Sequence, residues 1–273
     1  MIADLTGQVA IVTGSGRGIG QAIALRLAQA GAAVALTSRT QAEIDATAAR
    51  INESGGRALA VAGDVTNLID VRRVVAETRM QFGRISILVN NAGVSGPFGP
   101  LWKVDPEFWW RTQEIHIRGA FHYLHEVLPE MVEARRGRIV NIVSLAGMIM
   151  PPYSSAYSQA KAGLIRLTAY TATETAEHGL LNFAVEPGTI HTRMADEALA
   201  SPEVRQWAPG LIQLIEQSQR ESDPQTGLTR CADLCLSLLS GRYDELNGQY
   251  LDVREDLEER LRSHRQNAAG NPG

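Results

Sequence analysis

Tyr157 and Lys161 stand four residues apart in a segment, residues 154–177, that carries apolar residues at helical spacing, no proline and one glycine, Gly163. On a helix, positions i and i+4 share a face. An isolated phenol titrates near ~10 and exchanges protons poorly at neutral pH, whereas a neighbouring ammonium favours phenolate. Lys161 is therefore expected to draw Tyr157 down into the range of a general acid/base. Thirteen residues before the tyrosine, Ser144 closes the β-branched run Arg-Ile-Val-Asn-Ile-Val-Ser that begins at Arg138. That run reads as a buried strand, and ligands of open α/β sheets gather at the carboxyl ends of strands. A serine hydroxyl there can hold the substrate oxygen to or from which Tyr157 passes a proton. Alone, a Tyr-x-x-x-Lys spacing is an ordinary amphipathic surface pair, so the surroundings decide.

The elements that position these groups alternate regularly. Residues 9–13, Val-Ala-Ile-Val-Thr, form a strand pattern followed by Gly14-Ser-Gly-Arg-Gly-Ile-Gly20 and a helical pattern over 21–29. Glycines between strand and helix let the backbone bend tightly and approach a pyrophosphate at the helix amino end. A second strand, 33–37, runs into Ser38-Arg39-Thr40, with no carboxylate from Ala33 to Ala42. In dinucleotide folds a carboxylate at this strand tip binds the free ribose hydroxyls of NAD, and an arginine accommodates the extra phosphate of NADP. Arg39, with Ser38 as helper donor and Arg17 as second cation, favours NADP(H) and leaves NAD(H) possible; the plainer alternative is a solvated charge at a helix start. A third strand, 58–62, leads to Asp64-Val65, where Asp64 either accepts from an adenine amino group or caps the helix over 67–81. A fourth, 85–89, runs into Asn90-Asn91-Ala92-Gly93, whose amides are expected mainly to tie strand ends together. This rhythm implies crossover units and a doubly wound parallel α/β sheet with helices on both faces.

Composition agrees with small-molecule work. The chain is 44% hydrophobic and 21% charged with a formal net charge of −4, which lacks the basic stripe of a nucleic-acid surface. No apolar run is long enough to span a bilayer and no basic-then-apolar leader opens the chain, so a cytoplasmic protein without membrane contact is expected. Cys231 and Cys235, the two cysteines, fit buried reduced thiols, and no metal site is expected.

Together, Thr13-Gly14-x-x-x-Gly18-Ile19-Gly20, Asn90-Asn91-Ala92-Gly93, Ser144, Tyr157-x-x-x-Lys161 and Pro187-Gly188-Thr189-Ile190-His191-Thr192 resemble the short-chain dehydrogenase/reductase family over residues 5–252. The resemblance implies a Rossmann-like domain that moves hydride between NAD(P) and a carbonyl or alcohol carbon of a small molecule. It casts Tyr157 as general acid/base and a cofactor contact, Lys161 as its modulator and a ligand of the nicotinamide ribose, and Ser144 as the substrate anchor. It places Gly14, Gly18, Ile19 and Gly20 at the cofactor phosphates, Asp64 and Val65 at the adenine, and Asn91, Ala92 and Gly93 at the centre of the cofactor. Pro187, Gly188, Ile190 and Thr192 would border the nicotinamide amide and its phosphate. The Ser38-Arg39 pair resembles NADP-preferring members such as tropinone reductases.

Two departures stand out. His116 occupies the place of the family's usual asparagine, which is thought to hold a water chain reaching the lysine; an imidazole can hold a water, but differs in shape and can turn cationic at mildly acidic pH. A core histidine satisfied by backbone is the alternative. This exchange motivates the rival reading of a cofactor-binding regulator with little turnover, beside that of an NAD-dependent dehydrogenase. The carboxyl end lacks the family's Asp-Gly-Gly finish, and residues 255–261 read as an extra charged helix with Glu258 and Arg262 at i and i+4, expected to alter subunit contacts. One catalytic domain is expected over residues 1–262, with a variable substrate lid near 189–225 and a loose tail over 263–273. Met148, Ile149, Met150, Tyr153 and lid residues such as Val204, Trp207 and Ile215 suggest an apolar, roomy pocket for a bulky ketone or secondary alcohol, or else simply pack the lid. The helix over 106–133 and the one carrying Tyr157 correspond to the family's usual dimer or tetramer interface, with Phe121, His122 and His125 as interface or core residues.

Overall fold

Short runs of valine, isoleucine and alanine become strands and the amphipathic stretches between them become helices, because the inner strands of a parallel sheet are covered on both faces and favour continuous apolar residues. The computed structural model describes residues 3–221 and 223–270. Its strands are β1 (Val9–Thr13), β2 (Ala33–Thr37), β3 (Arg57–Ala60), β4 (Ile87–Asn90), β5 (Gly137–Ile142), β6 (Leu180–Glu186) and β7 (Tyr250–Asp252). They form one parallel sheet in the order β3-β2-β1-β4-β5-β6-β7. The chain crosses from one half of the sheet to the other between β1 and β4, so the loops after Thr13 and Asn90 diverge above a crevice, the place where such sheets bind ligands. This is the doubly wound Rossmann-like architecture expected.

Neighbouring residues of one strand face opposite layers. Val12 and Val34 point into a core shared with Ile23 and Leu27 of α1 (Gly18–Gln29) and Leu238 of α10 (Pro224–Leu239). Ile11 and Leu88 point the other way, against Val71 and Val75 of α3 (Leu68–Phe82) and Leu124 and Val127 of α5 (Gly119–Ala134). The remaining helices are α2 (Gln41–Glu53), α4 (Pro106–Gln113), α6 (Ser155–Thr175), α7 (Arg193–Ala200), α8 (Pro202–Trp207), α9 (Pro209–Glu221) and α11 (Leu257–Gly270).

Three expectations change. The single helix over 106–133 is interrupted: α4 and α5 are joined by a π-turn, Glu114–Arg118, which carries His116 into the interior. Such turns recur at functional sites. Glu258 does not pair with Arg262; it accepts from the Tyr243 hydroxyl at 2.6 Å and pairs with Arg242 at 2.8 Å. Nor is the segment after residue 262 an irregular tail: α11 continues to Gly270, docked by buried Leu261, a fork from Arg265 to Glu245 at 2.6 Å and a Gln249–His264 hydrogen bond at 2.9 Å. The rest of that expected tail, residues 271–273, lies outside the described residues, as does Ser222 of the expected lid.

Between β4, β5 and α6 a polar relay is buried. Asn90 Nδ2 donates to Asn141 Oδ1 at 2.8 Å, Asn141 Nδ2 donates to Thr168 Oγ1 at 2.9 Å, and Thr168 Oγ1 donates to Leu164 O at 2.8 Å. Asn141→Ala strands the Asn90 amide without an acceptor and is expected to lower the unfolding free energy by about 1–3 kcal/mol, read from the urea midpoint; an unchanged midpoint would remove the relay from the stabilising contacts.

Candidate active site

At the crevice the glycine turn is held by Asn91. Its Nδ2 donates to Thr13 O at 2.9 Å and Gly14 O at 3.1 Å, while Thr13 Oγ1 accepts from the backbone N–H groups of Asn91 and Ala92 at 2.9 and 3.1 Å. Packing is so close that a Cβ on Gly20 would lie 2.3 Å from Gly14 O and 2.4 Å from Asn91 Nδ2. Gly14 and Gly18 have φ of 63° and 56°, in the left-handed region that favours glycine. No side chain caps the first turn of α1, so its N–H groups are open to an anion. These features fit a dinucleotide: an open helix end, a backbone bare of side chains, and a cleft of about 570 Å³ running past Gly14, Ile19, Val65, Ala92 and Thr192. Ser144, Tyr157, Lys161, Pro187, Gly188 and Ile190 do not line it; Ile190 packs into the core.

At the outer end of the cleft Arg39 is exposed and makes no ion pair among the described residues. Ser38 Oγ is occupied locally, donating to Thr40 O at 3.2 Å and accepting from Thr40 N at 3.3 Å. Arg17 pairs with Glu43 at 2.8 Å. Glu43 lies one position beyond the carboxylate-free window and reaches back over Gly16, where a Cβ would come within 2.7 Å of it. Asp64 lines the cleft, but its Oδ1 accepts from Thr66 and its Oδ2 from Arg111 at 2.9 Å. The cap of α3 is Asn67, which accepts from Ile69 N at 3.0 Å, not Asp64.

The carboxyl ends of β5 and β6 and the start of α6 bring Ser144, Tyr157 and Lys161 together. Ser144, two residues past β5, heads a tight turn in which its Oγ accepts from Ala146 N at 3.2 Å. That turn presses on α6, since a Cβ on Gly147 would meet the Ala162 nitrogen at 2.7 Å. Lys161 is buried; its Nζ donates to Ile142 O at 2.7 Å and sits 5.5 Å from the centre of the Tyr157 ring. Here the expected electrostatics fail. The phenol is pushed up to about 12, because burial penalises phenolate more than the hydrogen bond with Ser144 favours it, and Glu186 adds to the rise. The ammonium bonds the strand end rather than the phenol oxygen. Burial also lowers Lys161 to about 8, with Glu186 opposing.

His116 meets the same group from the π-turn. Its ring lies edge-on to Tyr157, 5.6 Å between centroids, and its Nε2 is 2.8 Å from Val94 O and 3.2 Å from Val94 N. The shorter contact requires Nε2–H as donor. Nδ1 is then a buried acceptor without a partner among the described residues. Gly93 is needed beneath it, since a Cβ there would lie 2.4 Å from the ring. Burial first and the Lys161 charge second hold the imidazole at about 3, so it stays neutral at mildly acidic pH, contrary to expectation.

Sequence reading missed Glu186, Glu43 and Arg111. Glu186 precedes Pro187-Gly188, the only local sign of its place; Glu43 and Arg111 reach the cleft through tertiary packing that spacing does not reveal. Of the residues expected to form a lid, Val204 and Ile215 pack with Ala198 and Phe98, while Trp207 leans on Tyr153 at 5.4 Å. Tyr153 adopts φ 63° and its carbonyl accepts from Gly99 N at 2.8 Å. Met148, Ile149 and Met150 lie exposed beside it.

Residues 8–203 match the family model of the short chain dehydrogenases. The chain belongs to the short-chain dehydrogenase/reductase family. It is 39% identical over 245 residues to a 3-oxoacyl-[acyl-carrier-protein] reductase of Synechocystis, covering 89% of this chain and 97% of that one. Among solved structures it superposes on NAD+-bound xylitol dehydrogenase with a TM-score of 0.80 at 29% identity, covering 91% and 98% of the two chains. A gluconate 5-dehydrogenase of Burkholderia cenocepacia in complex with NADP and tartrate gives 0.79 at 27%, covering 94% and 97%. As a member of this family the chain is an NAD(P)-dependent oxidoreductase, and no helix among the described residues is long and apolar enough to cross a membrane.

The histidine makes a stability prediction with a definite sign. Its folded value, about 3, lies below the 6.5 of a free imidazole, so between these limits the unfolded state binds more protons. Stability contributed by the neutral ring is full above about 6.5 and is lost as pH falls, by up to ~1.4 kcal/mol per unit. Urea unfolding from pH 6.5 to 5 should show this slope, and His116→Asn should flatten it; parallel slopes would mean that the ring protonates in the folded protein.

Proposed function

We propose that this enzyme reduces a bulky, apolar ketone, or oxidises the matching secondary alcohol, using NADP(H). What supports the chemistry is the convergence of Ser144, Tyr157 and Lys161 at the carboxyl ends of β5 and β6, beside a cleft whose glycine cradle suits a dinucleotide. The bound nicotinamide supplies or removes the hydride. Ser144 Oγ–H donates to the substrate oxygen and fixes it beside the phenol. Tyr157, kept in its protonated form by burial, is ready as the donor that neutralises the oxygen as charge builds on it. Lys161 anchors the strand end through one N–H and keeps its other donors for the ribose hydroxyls and the phenol oxygen. His116, neutral and fixed to Val94, shapes the far wall of the phenol's pocket and offers Nδ1 to a water. The exposed Met148, Met150 and Tyr153 and the ring of Trp207 favour an apolar substrate. Exposed Phe121 on α5 and Tyr170 on α6 support a homo-oligomer formed through those helices.

The cofactor preference rests on Arg39, whose charge is uncompensated at the cleft's outer end, where Arg17 can turn from Glu43 to a phosphate. Glu43 is the observation that favours the second reading, NAD(H), since a carboxylate there can accept from ribose hydroxyls. Fluorescence titration with NADPH and NADH separates the two. Tighter NADPH binding, weakened at least about tenfold by Arg39→Asp and strengthened by Glu43→Gln, is expected from loss or gain of one net charge-assisted contact; an NADH preference would replace the first reading with the second.

Tyr157→Phe keeps the ring and its packing against His116 and Lys161 while removing the transferable proton. Turnover in a panel of bulky ketones, acetophenone included, should fall by at least about a hundredfold, with cofactor affinity within a few-fold of the parent. Undiminished turnover would take the acid/base role away from this residue.

A further inference from the structure

Glu186, the last residue of β6, is 5% exposed and has no cation within ion-pair distance among the described residues. Its Oε1 accepts from Gly188 N at 2.9 Å and its Oε2 accepts from Leu145 N. Both oxygens receive an N–H, the arrangement of a carboxylate acting as acceptor at each end. The two donors belong to different loops. Leu145 follows Ser144 directly, and Gly188, at φ 78°, lies within the turn after β6. One side chain thus spans the serine turn and the Pro187-Gly188 turn.

The charged and titratable groups that face it come from two directions. From β7 and just beyond, Asp252 and Tyr250 face Glu186 along with Arg254; from α6, Lys161 and Tyr157 do so. Arg254 is committed to Asp252, donating from Nε at 2.8 Å and from a second guanidinium nitrogen, so these two charges largely cancel. Tyr250 is neutral, raised by burial. Burial first and Asp252 after it hold the Glu186 carboxyl above its ordinary range, with the two backbone N–H groups and Arg254 opposing; on the α6 side Glu186 supports the Lys161 ammonium, through an interior from which water is largely excluded and where charges act over longer distances than at the surface.

We propose that Glu186 is a positioning residue, which clamps the serine turn to the Pro187-Gly188 turn and, as the fixed negative charge facing Lys161 and Tyr157, sets the pH at which the tyrosine gives up its proton. The catalytic meaning rests on the function proposed above. The physical claim does not, since it concerns one phenol, one ammonium and two backbone N–H groups. A purely structural glutamate would hold the loops and leave the phenol unmoved.

The test follows the Tyr157 phenol by near-ultraviolet phenolate absorbance, as the difference between each protein and its Tyr157→Phe counterpart, together with amide hydrogen exchange at Leu145 and Gly188. Glu186→Gln removes the charge and leaves one acceptor oxygen. It should bring phenolate formation to lower pH, by on the order of one unit, and speed exchange at one or both amides tenfold or more. Glu186→Asp keeps the charge on a shorter stem; it should leave the phenol within about 0.3 unit of the parent, since the charge is retained, while exchange still accelerates. An unmoved phenol in folded Glu186→Gln, or an equal displacement in both variants, overturns the proposal. If Glu186→Gln does not fold, Glu186→Asp decides: a displaced phenol or unchanged exchange overturns it. Neither readout needs turnover, so a parent protein that reduces no ketone would sink the proposed function and leave this inference standing.

Discussion

The amide of Asn91 holds the crevice together. A parallel sheet whose connections reverse direction between β1 and β4 has no backbone ladder beyond the strand ends, and the two loops would be free to splay. Asn91 closes the gap by donating to Thr13 O and Gly14 O, and Thr13 returns the favour by accepting two N–H groups from the other loop. Hydrophobic contact could not do this, because the groups to be joined are polar backbone atoms that must be satisfied when water leaves. The requirement for Gly20 follows, since a side chain there would occupy the place of that amide. The same close approach that ties the sheet together leaves the first turn of α1 uncapped and bare. Structural economy and anion affinity thus have one cause.

Farther along the sheet a second polar device works on the same principle. Asn90, Asn141 and Thr168 tie β4 and β5 to α6, the helix that carries Tyr157 and Lys161. The lysine completes the connection by donating to Ile142 O. Tyr157 and Lys161 are therefore set by a frame of strand ends and one helix, and the aromatic surface near Tyr153 and Trp207 lies outside it.

What could be read from sequence was whatever depends on local pattern. Strand runs such as 9–13 and 33–37 are legible because burial on both faces demands continuous apolar, β-branched residues; the glycine turn and the Ser144, Tyr157, Lys161 order are legible because their spacing is fixed by one strand and one helix. The structure brings Ser144, Tyr157, Lys161 and His116 together. The Glu43 carboxylate escaped a window search of the second strand tip because α2 folds it back by one turn. The π-turn at 114–118 escaped because its cause is tertiary: His116 is drawn onto Val94 and Gly93, contacts that no periodicity reports. The continuation of the last helix past residue 262 escaped because its polar composition suggested solvent, whereas Leu261 and the Arg265–Glu245 fork dock one edge of the helix.

The failed expectation about Tyr157 is the most instructive. An i, i+4 pair predicts a shared face, and the face is indeed shared; it does not predict where a long side chain sends its charge. Lys161 turns toward a strand-end carbonyl, so the phenol feels burial before it feels the ammonium. With His116 held neutral by the same burial and the same cation, the pocket contains one ammonium, one carboxylate at Glu186 and two uncharged rings. A nearly charge-balanced interior of this kind costs less desolvation than one holding a phenolate or an imidazolium as well. It also keeps the proton on the phenol.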